Sequence, residues 1–287
     1  MVDNEKIDFQ HHIVGDALSQ EGRDLFRTLI YDYYKDNKRI LAWRDSDNPY
    51  YVVVSEIMLQ QTQVERVKHK FEQFIILFPT LEALACAQTS DLLAVWQGLG
   101  YNRRALSLQL FAKRVCEEFS GIVPQDPEIL STFKGIGKAT ASSICAFAFN
   151  KPTVFIETNI RSVYIHCFFP HSTQVKDAEI ISLIAQTLDE QDSRAWYYAL
   201  MDYGVMLKKK YKNPSRKSAH YVTQSKFEGS DRQVRGLILK LLVEIPVIAE
   251  DEFLTSINRD QEKILSILLD LQKEGFIVNR QGFYSLA

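Results

Sequence analysis

Along most of the chain, apolar residues recur three and four positions apart. From Glu21 to about Lys38, Phe26, Leu29, Ile30 and Tyr33 fall on one side of a helix, the spacing that a half-buried helix needs. The same pattern predicts helices from Tyr50 through Thr62, from about Val64 to Phe78, around 81–86 and 90–97, and from Asn102 to Phe119. Others come at Glu128 to Phe133, Lys138 to Phe149, 159–168, 176–189 and 192–206. Pro79-Thr80 ends one helix and caps the next, because proline is poorly tolerated inside a helix. No strand-like alternation is legible before residue 220, so this part reads as all-α. Residues 1–20 carry only a weak pattern, that of a ragged leader.

Residues 213–227 are polar and aperiodic, which predicts a linker. The character then changes. Helices fit Arg232 to Val243, Ala249 to Ile257 and Gln261 to Lys273, and two short apolar runs, 276–278 and 283–286, flank the turn-like Asn279-Arg280-Gln281-Gly282. Three helices and a terminal hairpin outline a winged helix over 228–287. A chain of 287 residues suits one two-lobed domain or two domains. The expected organisation is a core over 1–212, the linker, and the winged-helix-like module.

Composition alters this picture little. The hydrophobic share of 46% can fill a sizeable core, and the net charge of −2 announces no general affinity for nucleic acid. Its distribution matters more. Residues 228–287 hold seven Lys/Arg against ten Asp/Glu, whereas Lys208, Lys209, Lys210, Lys212, Arg216 and Lys217 form a local basic cluster. The four cysteines, Cys86, Cys116, Cys145 and Cys167, form no C-x-x-C pair and read as reduced, buried thiols. No apolar run is long enough to span a bilayer and no signal region precedes the core, so a soluble, intracellular protein is expected.

The chemistry gathers around Leu130–Ile165. A helical turn ends at Phe133, Gly135-Ile136-Gly137 breaks it, and Lys138-Ala139-Thr140-Ala141 begins the next helix. Paired glycines let the backbone turn sharply and approach a ligand. The unpaired N–H groups and positive dipole end of the new helix then suit a phosphate. Beyond it lies an acidic segment, Phe155-Ile156-Glu157-Thr158-Asn159-Ile160-Arg161, with Asn159 nineteen positions past Thr140.

This helix-hairpin-helix and acidic loop resemble the helix-hairpin-helix DNA glycosylase superfamily, which includes endonuclease III and the MutY-type adenine glycosylases. The resemblance covers roughly residues 24–212 and is specific at 41–44, 55–64, 96–104 and 130–163. It implies a base extruded from the duplex and a cut N-glycosidic bond, with one group protonating the base and a carboxylate offsetting charge on the sugar. Ser55-Glu56-Ile57-Met58-Leu59-Gln60-Gln61-Thr62-Gln63-Val64 is similar to the MutY-type segment whose glutamate is the acid, which gives Glu56 that role. Its setting among Val53, Val54 and Ile57 predicts a pKa raised by burial. Glu157 would stabilise the cation and Asn159 would support it. Trp43, Arg44 and Leu59 correspond to the base pocket, and Gln60 and Tyr101 to the side chains that wedge into the stack. Gly135, Gly137, Lys138 and Thr140 would hold the DNA backbone, and the hairpin carbonyls would offer a site for a monovalent cation.

Three departures are plain. The superfamily has aspartate where this chain has Glu157, one methylene longer. Ala139 stands where bifunctional members carry the lysine that attacks the sugar, so a monofunctional enzyme is implied. Lys208 to Lys226 contains no cysteine, so the thiolates that hold an iron–sulfur cluster in most relatives are missing there. Lys209 and Lys210 are expected to contact DNA in its place. Residues 228–287 are too short and too helical to be the β-rich domain with which MutY-type enzymes read 8-oxoguanine. The expected function is removal of a mispaired base from double-stranded DNA, adenine opposite 8-oxoguanine or guanine. The alternatives are another base, thymine or uracil opposite guanine or hypoxanthine, and a non-catalytic DNA-binding regulator. A monomer without metal, in a bacterial cytoplasm or a eukaryotic nucleus, completes the expectation.

Overall fold

The computed structural model describes residues 8–46, 48–223 and 226–287, and the chain is mostly helical. By contacts it divides into two units: Met1–Val52 with Gln125–Thr132 and Gly137–Thr223, and Val53–Pro124 with Phe133–Ile136 and Gln224–Ala287.

The first unit begins with a two-residue antiparallel ladder, β1 (Ile13–Val14) and β2 (Ala17–Leu18). This corrects the expectation of a ragged leader for the described part of that segment. Phe9 and Leu18 are buried, which anchors the ladder; strands of two residues are too short to show alternation in sequence. Helix α1 (Gln20–Asn37) is capped by the Ser19 hydroxyl on the Gly22 N–H. Its Phe26 meets Phe9, Phe168 and Trp196 edge-on at centroid distances of 5.4, 4.9 and 5.8 Å, a favoured aromatic geometry. Helix α2 (Pro49–Leu59) carries the chain into the second unit.

Within the second unit lie α3 (Val64–Leu77), α4 (Leu81–Ala85), α5 (Thr89–Trp96) and α6 (Arg103–Glu118). Back in the first unit are α7 (Pro127–Ser131) and α8 (Lys138–Phe149), then α9 (Thr158–Phe168), α10 (Asp177–Thr187) and α11 (Ser193–Lys210). The expected linker is in part packed structure. Pro214 and Ser215 are buried, Ser218 bridges Val175, and the 3-10 turn Pro214–Lys217 lies against α9. Polar residues hid this because the segment is held by backbone bonds rather than by an apolar stripe.

The C-terminal residues form α12 (Asp231–Glu244), β3 (Ile248–Ala249), α13 (Glu250–Ser256), α14 (Gln261–Lys273), β4 (Ile277–Arg280) and β5 (Phe283–Leu286). The antiparallel sheet runs β3-β5-β4, the winged-helix arrangement with one strand that sequence had not indicated. The module is not isolated. Helix α12 lies against α5, and Glu274 accepts hydrogen bonds from both Arg103 on α6 (Nε, 2.7 Å) and Arg235 on α12 (Nη1, 3.0 Å).

That shared carboxylate yields a pH prediction. The hydrogen bonds from Arg103 outweigh partial burial and, with Arg235, hold the Glu274 pKa down to about 2. A carboxylate depressed on folding contributes its full stability above the ordinary value of 4.5 and loses it as pH falls toward about 2. Because the Arg103 side chain is 71% exposed, solvent screening limits the effect to about 1–2 kcal/mol. Melting of wild type and Glu274→Gln should therefore differ by that amount at pH 6, by less below pH 4.5, and converge only as pH drops to about 2.

Candidate active site

In the first unit, the backbone enters α9 at Glu157, whose side chain turns back on its own helix. Oε1 accepts the N–H groups of Asn159 (2.8 Å) and Ile160 (3.1 Å), and Oε2 accepts the Asn159 side-chain amide (3.3 Å). The carboxylate thus satisfies two of the four unpaired donors at a helix start, where the dipole also favours negative charge. Asn159 is held in turn by Lys208, whose Nζ donates to Oδ1 at 2.8 Å. Burial pushes the Lys208 pKa below the usual lysine value, the Glu157 carboxylate pulls it back up, and Arg161 lowers it. Lys208 reaches Asn159 because α11 and α9 approach backbone to backbone. A Cβ added at Gly204 would stand 2.4 Å from the Asn159 carbonyl oxygen.

Trp43 and Arg44 are both buried. The Arg44 guanidinium makes a bidentate pair with Asp202 of α11, at 2.9 Å on both arms, and stacks 4.3 Å from the centre of the Tyr198 ring. Arg39 also donates to Asp202, through its backbone N–H at 2.9 Å and its Nε. The arginine fork fits a carboxylate in this way, so the polar end of Arg44 is committed to α11. Gly137 is the N-cap of α8, with φ −84° and open space where a Cβ would be. Lys138 and Ala139 at the helix start are exposed, Thr140 is half-buried, and Lys209 and Lys210 are exposed at the end of α11.

In the second unit, Glu56 is half-buried on α2 between the buried Ser55 and Ile57, and Leu59, one turn on, ends that helix half-buried. The path of the backbone beyond Leu59 is set by Arg104. Its Nη1 donates to the carbonyls of Ile57 (2.9 Å), Met58 (2.8 Å) and Gln60 (2.6 Å). Its Nη2 donates to the Thr62 hydroxyl (3.0 Å) and to the carbonyls of Leu99 (3.2 Å) and Gly100 (2.8 Å). One guanidinium therefore satisfies the carbonyls left over at the end of α2 and ties them to the turn before α6. Burial lowers its pKa to about 10, against an opposing contribution from Tyr101.

Both expected wedge residues sit on this clamp. Gln60 directly follows α2, and its Nε2 donates to the Gly135 carbonyl at 3.2 Å. Tyr101 adopts φ +49°, a strained value for a bulky residue that persists at functional sites. Gly135 has φ +86°, and a Cβ there would come 2.9 Å from that of Ser107. Of the two hairpin glycines, only this one uses glycine's conformational freedom.

The fourteen residues singled out in sequence thus fall into two sets. Glu56, Leu59, Gln60, Tyr101 and Gly135 belong to the second unit, and the remainder to the first. Within the first set Gln60 meets Gly135; within the second Glu157 meets Asn159. Sequence reasoning missed Arg104, Asp202 and the role of Lys208. Arg104 did leave a signal, because Arg103-Arg104 opens a helix, where the dipole disfavours cations unless they are used elsewhere. Asp202 interrupts the apolar stretch Tyr197–Met206. The cysteines also divide differently than expected: Cys145 and Cys167 are buried, Cys116 is half-buried and Cys86 is exposed.

Residues 54–186 match the family of HhH-GPD superfamily base excision DNA repair proteins. The adenine DNA glycosylase of Buchnera aphidicola subsp. Baizongia pistaciae is 32% identical over 186 residues, covering 63% of this chain and 52% of its own length. That of Mycobacterium tuberculosis is 28% identical over 293 residues, covering 90% of this chain and 93% of its own. The chain spans about half the length of the first relative and nearly all of the second. Among solved structures, a thermostable thymine-DNA glycosylase superposes with a TM-score of 0.58 at 22% identity, covering 68% of this chain and 91% of its own. That likeness shows the fold.

Removing the Arg104 fork should strand several buried carbonyls at once, each costing about 1–3 kcal/mol when unpaired. Arg104→Met is expected to lose on the order of 3 kcal/mol or more in denaturant unfolding. Arg104→Lys should recover only part of it, because a single ammonium cannot span both arms. A full recovery by lysine would show that charge rather than the fork matters.

Proposed function

We propose that this chain, whose residues 54–186 belong to the HhH-GPD superfamily of base excision DNA repair proteins, is a monofunctional DNA glycosylase releasing mispaired adenine. The substrate is adenine opposite 8-oxoguanine or guanine in double-stranded DNA. The observation that carries this reading is the anchored carboxylate of Glu157, fixed by two backbone N–H groups and the Asn159 amide, with Lys208 behind Asn159. A carboxylate held in this way can face a positive charge developing on the sugar without first reorganising. Glu56 supplies the proton to the departing adenine. The names of the curated relatives support adenine as the base. Ala139 offers no amine for attack on the sugar, so the cation is trapped by water.

The residues that follow α11 do not fit an iron–sulfur cluster. Lys208 to Lys226 supplies no thiolate, and no step of this mechanism uses one. Lys138, the bare start of α8 and the exposed pair Lys209 and Lys210 are assigned to DNA phosphates, and the working form is a monomer. A cation on the hairpin carbonyls remains part of the proposal.

A second reading is favoured by the same carboxylate. Glu157 Oε1 already accepts two N–H groups as a helix cap, which is all that a non-catalytic DNA-binding protein with this fold would ask of it.

Incubation with A opposite 8-oxoguanine, G or C, and with U:G, T:G and hypoxanthine:T, followed by hot alkali, separates the readings. Adenine release is expected, with Glu56→Gln slower by about 100-fold or more, the scale of general acid catalysis. Release of another base would transfer the same chemistry to that substrate. Tight binding without release from any duplex would make the second reading the better one.

A further inference from the structure

Three lysines end α11, and they do not behave alike. Lys209 and Lys210 are exposed, whereas Lys208 is half-buried and turned onto α9. Its ammonium meets an amide oxygen, Oδ1 of Asn159 at 2.8 Å, rather than a carboxylate. The other cation that acts on it, Arg161, is committed to Asp177 through Nε and Nη2, at 2.9 and 2.8 Å. Holding an ammonium partly out of water costs free energy, and burial pushes the Lys208 pKa down. A side chain directed outward, like those of its two neighbours, would avoid that cost. The inward turn therefore calls for a role.

An ammonium carries donors and no acceptor, and an ionised carboxylate carries acceptors only. Asn159 stands between one of each. Its side chain has a single orientation that satisfies both: Oδ1 toward Lys208, and Nδ2 toward Glu157 Oε2 at 3.3 Å. The reversed amide would set an oxygen against the carboxylate and an NH2 group against the ammonium. Glu157 gains a second point of support in this way. Its Oε1 is pinned by the N–H groups of Asn159 and Ile160, but a carboxylate held at one oxygen still turns about that point. The bond to Oε2 fixes its plane.

Resting on the glycosylase reading, we infer that Lys208 is a positioning residue of the reaction: it sets the Asn159 amide and, through it, the plane of the Glu157 carboxylate. The indirect route is part of the role. A lysine paired with Glu157 itself would cancel the negative charge that faces the developing cation on the sugar. One amide removed, it orients the carboxylate and leaves that charge in place.

The test pairs single-turnover base release from an adenine–guanine duplex with anisotropy binding to the same duplex carrying a non-cleavable 2′-fluoro-adenosine. Lys208→Met keeps an unbranched apolar stem and removes the donors. It should slow release about tenfold, less than the roughly hundredfold of an ångström's misplacement, and leave the dissociation constant unchanged. Lys208→Arg, which again presents only donors, should restore most of the rate. Asn159→Ala should be equally slow with or without Lys208→Met, because the lysine acts through that amide. A packing role alone would spare Lys208→Met, and a phosphate contact would weaken binding and flatten its salt dependence; either result overturns the inference. So does Lys208→Arg no faster than Lys208→Met, or losses that multiply in the double variant. If Lys208→Met is poorly folded by melting, Lys208→Gln carries the same cycle, with a smaller slowing. Base release by wild type alongside any overturning result sinks the inference alone, whereas wild type that releases no base from any duplex overturns the glycosylase reading with it.

Discussion

The end of α2 and the turn before α6 are held by a single guanidinium. A helix finishing inside a protein leaves carbonyls that must find donors, and here Arg104 supplies them from within the fold. The arrangement fixes Glu56 by fixing the last turn of its helix. It presents Gln60 immediately afterwards, and holds Tyr101 at a backbone angle that it would not adopt freely. Glu56, Gln60 and Tyr101 are therefore all carried by backbone that meets the same guanidinium. A lysine could not do this, because the carbonyls approach from two directions and only a planar fork meets both.

The helices were legible almost to the residue because they are amphipathic and end at ordinary stop signals. The expected span Glu21–Lys38 is Gln20–Asn37, and Lys138–Phe149 is matched in full. The strands β1 and β2 before α1, and β3 directly after α12, were not legible, since two residues carry no alternation and their partners are distant in sequence or pinned by a turn. The winged-helix outline was readable from its three helices and hairpin, but not its attachment, which depends on one glutamate between two arginines. Polar residues that serve buried backbone, such as Arg104, or buried charge, such as Asp202, look in sequence like ordinary surface. Only the company they keep in space distinguishes them.

Glu157 is the end of a short chain of contacts that runs from Lys208 to Asn159 to its carboxylate. The bare backbone at Gly204 brings α11 close enough for Lys208 to reach. A cation thereby lies behind the asparagine that orients the acid, at a position set by helix packing alone.

The extra methylene of Glu157 has to be judged in that setting. Placement errors of about an ångström can cost roughly two orders of magnitude in rate, so a free glutamate would be a poor replacement for aspartate. This one is not free. Its carboxylate is drawn back against the first turn of α9 by three N–H donors, so its position is set by the helix end rather than by the length of the side chain. The longer arm is taken up in the curl toward the helix, and the charge remains at the dipole end. Aspartate caps other helices of this chain, Asp126 on α7 and Asp260 on α14, so the glutamate changes the reach of the carboxylate and not the kind of donors that hold it.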